Sequence, residues 1–204
     1  MLKFKRKNGY QLLFLICVAV PVLNIYELTF GVWLLAALLT MHNRYSVRIV
    51  KYVSCFVAIL LIALISSFFN DKPSYNFVRD VAYLTKPILG LLIGYQICKR
   101  IGDSVYSTII YSGLAIAIVH LFIVFSIFLK YHTIAVDLLR MYGGYFSDFE
   151  IYVLIILFFH KKFNLALSKK QIWLFGVIVF VSSLLYLSRT NFIQFFILFF
   201  AMKG

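Results

Sequence analysis

The sequence predicts an all-α fold: a polytopic bundle of about eight transmembrane helices with a cytoplasmic N-terminus. Three observations predict it. Hydrophobic residues make up 63% of the 204-residue chain and charged residues 13%, where a water-soluble domain carries about a quarter charged. With a mean hydropathy of +0.96, the chain has too little polar surface to cover a globule in water and needs lipid as its solvent. The apolar residues also fall into runs near the length of a bilayer crossing, and the basic residues alternate from loop to loop.

A hydrocarbon core of roughly 30 Å takes about 20 helical residues, fewer where flanking side chains snorkel. The runs are Gln11 to Tyr26, Leu28 to Met41, Tyr52 to Phe69, Val81 to Cys98, Val105 to Leu129, Tyr145 to Phe159, Ile172 to Leu187 and Asn191 to Met202. The basic start MLKFKRKNGY before the first run resembles a signal peptide. Pro21, Asn24 and Tyr26 stand where small cleavage-site residues belong, so an uncleaved first span is expected. The last two runs are treated as separate. Ile172 to Met202 as one helix would run about 46 Å at 1.5 Å per residue, so a break is expected at Ser188 to Asn191.

Orientation follows from the excess of Lys and Arg in cytoplasmic loops. With the N-terminus inside, inside segments hold 14 of the 20 basic residues: Lys3, Lys5, Arg6, Lys7, Arg44, Arg48, Lys51, Lys99, Arg100, Lys161, Lys162, Lys169, Lys170 and Lys203. Outside segments hold Lys72, Arg79, Lys86, Lys130, Arg140 and Arg189, with six of the seven acids, Glu27, Asp71, Asp80, Asp137, Asp148 and Glu150. The net charge of +13 is therefore topological. It forms no continuous basic face, and no nucleic-acid partner is expected.

No soluble domain interrupts the spans, and 1–204 reads as a single transmembrane domain. There is no phosphate-binding glycine loop. Cys17, Cys55 and Cys98 lie in or beside apolar runs without C-x-x-C spacing and are expected to be small buried hydrophobes; no metal and no cofactor is expected. His42, His120, His132 and His160 have no partners at ligand spacing, and charges at mid-span are nearly absent. Gly90 and Gly94 form a G-x-x-x-G that permits close helix contact.

Basic residues outside run against the topology rule, so they are the candidate binding residues. On a helix Arg79, Tyr83 and Lys86 share one stripe at the outer boundary, where two cations suit a diphosphate or an acidic sugar. The competing account pairs Arg79 with Asp80 or Asp71 and lets Lys86 snorkel. Arg140 precedes Gly143 and Gly144, which allow a tight turn with Arg140 over it. Arg189 stands at the outside corner between the last two runs, where a guanidinium suits phosphate. For Arg140 the competing account is an ordinary aromatic-rich interfacial loop, and for Arg189 an interfacial anchor.

Taken together, the outside Arg140-x-x-Gly143-x-x-Phe146 piece, Ser188-Arg189 opening a span, and Arg79-Asp80 followed by Lys86-Pro87-Ile-Leu-Gly-Leu-Leu-Ile-Gly-Tyr95 resemble the N-terminal part of the O-antigen ligase and O-antigen polymerase superfamily. The resemblance implies a glycosyltransferase of the bacterial inner membrane. It would join surface-polysaccharide glycans from a polyprenyl-diphosphate-linked donor on the outer face, without a cofactor, beside other assembly proteins. Arg189 and Arg140, then Arg79 and Lys86, would hold the diphosphate. Ser147-Asp148 replaces the Asn-Pro frequent in the family. The family's large outside loop and later spans are missing, so the chain is expected to be truncated at its C-terminus. The alternatives are a lipid-linked-sugar flippase or other transporter, and a membrane anchor with no site.

Overall fold

In a computed structural model the protein is all-helical among the described residues, which are 6–23, 25–42, 44–68, 74–133, 135–143, 149–186 and 189–203. Among the described residues each of the eight apolar runs contains a helix, and the chain divides into two compact units, Met1–Gly102 and Asp103–Gly204. Two helical stretches, Val47–Ser67 and Phe77–Tyr131, are long and apolar enough to cross a membrane.

The first unit holds α1 (Arg6–Ala19), α2 (Tyr26–Leu39), α3 (Val47–Phe68) and α4 (Ser74–Ile101). Pro21 has no N–H to continue α1, and Val20–Leu23 tightens into a 3-10 turn. The 28-residue α4 is the hub, packing against the other three helices. It begins seven residues before the expected span, so Arg79 lies well inside a helix. Trp33 Nε1 donates to the Cys17 carbonyl at 2.8 Å, fixing α2 against α1.

At the far end of α4 a polar lock ties three helices. Arg100 donates to the carbonyls of Thr40 (3.2 and 3.3 Å) and Met41 (2.9 Å) and to the Tyr10 hydroxyl (2.8 Å). These carbonyls sit at the C-cap of α2 and just past it, where no intrahelical donor reaches them; a guanidinium meets both their hydrogen bonds and the negative end of the helix dipole. Beside it Thr40 Oγ1 lies 2.6 Å from Gln96 Oε1, and Gln96 Nε2 donates to the Tyr45 hydroxyl at 2.6 Å. Gly102, at φ +60, closes α4 in the left-handed region.

The second unit holds α5 (Val105–Tyr131), α6 (Val136–Gly143), α7 (Phe149–Phe158), α8 (Lys169–Leu185) and α9 (Arg189–Lys203). His132, at φ 51, ends α5, and Ser168 with Gln171 forms a capping box that starts α8. Helices α5, α7 and α8 pack on one another around Ile110, Ala117, Val153, Leu154 and Val179.

Several expectations are corrected. Among the glycines, close helix approach occurs at Gly113, where an added Cβ would run into the Val153 side chain; Gly94 has nothing within 4 Å and Gly90 meets Trp33 at an ordinary 3.5 Å. The sequence pattern G-x-x-x-G reports what is permitted, while the partner helix decides what is used. Cys17 is buried as expected, but Cys55 and Cys98 are exposed, because α3 and the end of α4 turn those positions away from their neighbours. Arg140 lies in the extra short helix α6; Gly144 of the expected turn lies outside the described residues. Helix α8 ends at Leu185 and α9 begins at Arg189, so the last two runs are separate helices. Of the break expected at Ser188 to Asn191, Arg189 to Asn191 are helical, because these polar residues start α9 rather than interrupt it, and Ser188 lies outside the described residues.

Candidate functional site

In the first unit the 79–86 stripe forms as the spacing requires. Lys86 Nζ sits 4.6 Å from the Tyr83 ring centre and 5.7 Å from that of Tyr26, and the two rings lie 5.4 Å apart. The ammonium is thus held by two aromatic faces, which attract cations through the ring quadrupole. Pro87 follows inside the helix and has no N–H to offer the Tyr83 carbonyl, leaving a polar backbone group beside the stripe.

Arg79 is half-exposed, with Nε 3.9 Å from Asp80 Oδ1. At that distance between adjacent, solvent-reached side chains the pair is weak. Next to it a cavity of about 310 Å³ is walled by Tyr26, Glu27, Phe30, Tyr75, Phe77 and Arg79, from the starts of α2 and α4. Aromatic faces with one guanidinium and one carboxylate are the combination that receives a ring bearing hydroxyls: apolar faces stack and charged groups fix orientation.

Arg140 and Arg189 belong to the second unit, so neither shares the compact unit that carries Arg79 and Lys86. Arg140 lies in α6 and Arg189 is the first residue of α9; their side chains lie outside the described part. The Ser147-Asp148 departure also lies outside the described residues. His132 is exposed at the end of α5.

The second unit holds a group that the sequence reading missed. Glu150, counted above among the outside acids, is 0% exposed in the first turn of α7. Ser182 Oγ–H donates to Glu150 Oε1 at 2.8 Å, and the Tyr186 hydroxyl donates to the same oxygen at 3.2 Å. His120 Nδ1 lies 2.8 Å from Ser182 Oγ, and its ring stacks on Tyr186 with centres 3.9 Å apart and planes 13° apart. Because Ser182 has given its hydrogen to Glu150, its oxygen is left to accept from His120 Nδ1–H. His120 on α5 is 1% exposed and Ser182 on α8 is 0% exposed, so two titratable groups sit in the packed interior, linked by one hydroxyl.

Helix α9 adds Asn191, whose Nδ2 donates to the Ser183 carbonyl at 3.2 Å. Glu150 Oε2, Ser183 Oγ, Asn191 Oδ1 and Gln194 Oε1 are buried without a hydrogen-bond partner among the described residues. Buried polar atoms are nearly always paired, so this concentration on three adjoining helices sets the region apart from an ordinary apolar core. The signals were present in sequence: Glu150 at the head of an apolar run, Ser182 and Tyr186 one helical turn apart, and His120 within a span. What was absent was any indication that α5, α7 and α8 bring them together.

Among the described residues no three His, Cys, Asp or Glu side chains gather as a metal site. Comparison with protein-family models, curated proteins and solved structures found no match.

Proposed function

We propose that the chain is a multi-pass protein of the bacterial inner membrane, crossing about eight times, that joins glycans of surface polysaccharide. The donor is a polyprenyl-diphosphate-linked glycan at the outer face. Membrane residence is supported by α3. Over its span window only 6% of residues are buried, and Val50, Phe56, Ile59, Ile62 and Ile65 all face outward. At roughly 1.5–3 kcal/mol for each large apolar side chain left in water, five of them would cost on the order of 10 kcal/mol, the whole stability of a typical domain. Hydrocarbon around α3 removes that cost.

The observation that carries the glycan reading is the aromatic cavity beside Arg79 and the Tyr26–Tyr83–Lys86 stack. The tyrosine and phenylalanine faces receive the sugar, and Arg79 with Lys86 meets the diphosphate. Arg189 and Arg140, in the second unit, are the other candidate diphosphate-binding cations of this reading, and either would stabilise charge that develops on a leaving group. The test is glycan incorporation in membranes carrying the chain at unchanged protein level. Arg189→Ala abolishes transfer, and Arg79→Ala lowers it at least tenfold; transfer retained by both variants refutes the reading.

One observation favours a second reading, a lipid-linked-sugar flippase or other transporter. A sequence without mid-span charges argued against coupled transport, whereas a buried carboxyl and imidazole joined by one hydroxyl is the kind of intramembrane group transporters use. Transfer of glycan by purified chain with donor and acceptor on the same side of the bilayer separates the two.

A further inference from the structure

We propose that Glu150 and His120 form a proton-binding site inside the second unit, sharing one proton through the Ser182 hydroxyl. The site stands whether the chain joins glycans or moves them, because it rests on the packing of α5, α7 and α8 alone.

The geometry defines a short path. His120 Nδ1 to Ser182 Oγ is 2.8 Å and Ser182 Oγ to Glu150 Oε1 is 2.8 Å, both good hydrogen-bond lengths. A concerted shift breaks the Nδ1–H bond and forms an Oγ–H bond, while the original Oγ–H breaks and an Oε1–H forms. Imidazolium and carboxylate become imidazole and carboxylic acid. Net charge is zero on both sides, no oxidant or reductant is involved, and the serine ends with one hydrogen as it began. Electrostatics demands this neutrality: an isolated charge in a packed apolar interior is far costlier than a neutral or compensated pair.

The surroundings bring no described charge that would hold the proton elsewhere. From α5 the facing titratable group is His120, and from α8 it is Tyr186, whose hydroxyl donates to the carboxyl and whose ring stacks on the imidazole. Helix α9 brings the amides Asn191 and Gln194, and its first residue is Arg189, whose side chain lies outside the described part. A second carboxyl oxygen, Glu150 Oε2, is buried without a partner among the described residues. The three helices need not move for the proton to do so, yet each protonation state changes which atoms donate across α5–α8 and α7–α8. Proton binding is thereby linked to helix packing.

The experiment is infrared difference spectroscopy of the whole chain in lipid nanodiscs during a pH titration. A carbonyl band of a protonated carboxylic acid should titrate, and Glu150→Gln, which keeps shape and a hydrogen-bonding oxygen, should remove it. His120→Phe, which keeps a ring on Tyr186, should move the midpoint by about one pH unit or more, a tenfold change in proton affinity. Ser182→Ala should do the same by cutting the path, and it serves if His120→Phe does not assemble. A band absent at every pH, a band surviving Glu150→Gln, or a midpoint unmoved by Ser182→Ala overturns the proposal.

Discussion

Gly113 offers a direct test of how α5 and α7 meet, because two effects of known size oppose each other there. Replacing a helical glycine with alanine normally stabilises by about 0.5–1 kcal/mol, since glycine loses the most backbone freedom on folding. At Gly113 the added Cβ collides with Val153 Cγ2 and also meets Val153 Cβ at 3.4 Å and Phe149 Cδ1 at 3.5 Å. Val153 is 0% exposed and cannot swing aside, because a β-branched side chain in a helix has one strongly preferred rotamer. Overpacking of this kind costs about 1–3 kcal/mol, so the collision outweighs the gain and Gly113→Ala destabilises by roughly 1 kcal/mol net.

Gly94→Ala is the matched control: nothing lies within 4 Å of its added Cβ, and it should gain up to about 1 kcal/mol. Thermal unfolding of both variants in the same detergent reads the difference, which should carry opposite signs. Val153→Ala in the Gly113→Ala background makes room for the methyl, and the double-mutant cycle should show favourable coupling of about 0.5 kcal/mol or more. If Gly113→Ala is as stable as Gly94→Ala, or if Val153→Ala adds its full cost on top, α5 and α7 do not touch here and the placement of Glu150 falls with them.

Two further outcomes follow from the fold. Single cysteines at Ser74, the first residue of α4, and Ser168, before α8, in a background lacking the three native cysteines should react with a membrane-impermeant maleimide from opposite sides; labelling from one side sinks the eight-span orientation. Arg100→Lys should destabilise the first unit by about 1–3 kcal/mol, because one ammonium cannot reach two carbonyls and the Tyr10 hydroxyl together. Unchanged unfolding would mean that the lock at the end of α2 contributes little.

The order of the helices was legible in the sequence, because an apolar run bounded by polar residues must satisfy its backbone internally wherever water is scarce. That Ile172 to Met202 holds two helices followed from length alone, and the 79–86 stripe from the helical period. Boundaries were read less well where polar residues continue a helix past its apolar part, as in Ser74 to Asp80 of α4. The extra helix α6 escaped because eight residues with Asp137 and Arg140 among apolar ones resemble a loop.

Composition, run length and charge alternation are local properties, and they determined the helical class and which cations were candidates for a site. The Arg79 cavity needed α2 beside α4 to supply Tyr26, Glu27 and Phe30. The Glu150 group needed more: residues 120, 150, 182 and 186 come from three helices, and nothing in any one of them indicates the others. Hydrogen bonds of 2.8 Å depend on side chains meeting across packed surfaces, and the steric fit that brings them together, such as Gly113 admitting Val153, is decided between helices rather than within them.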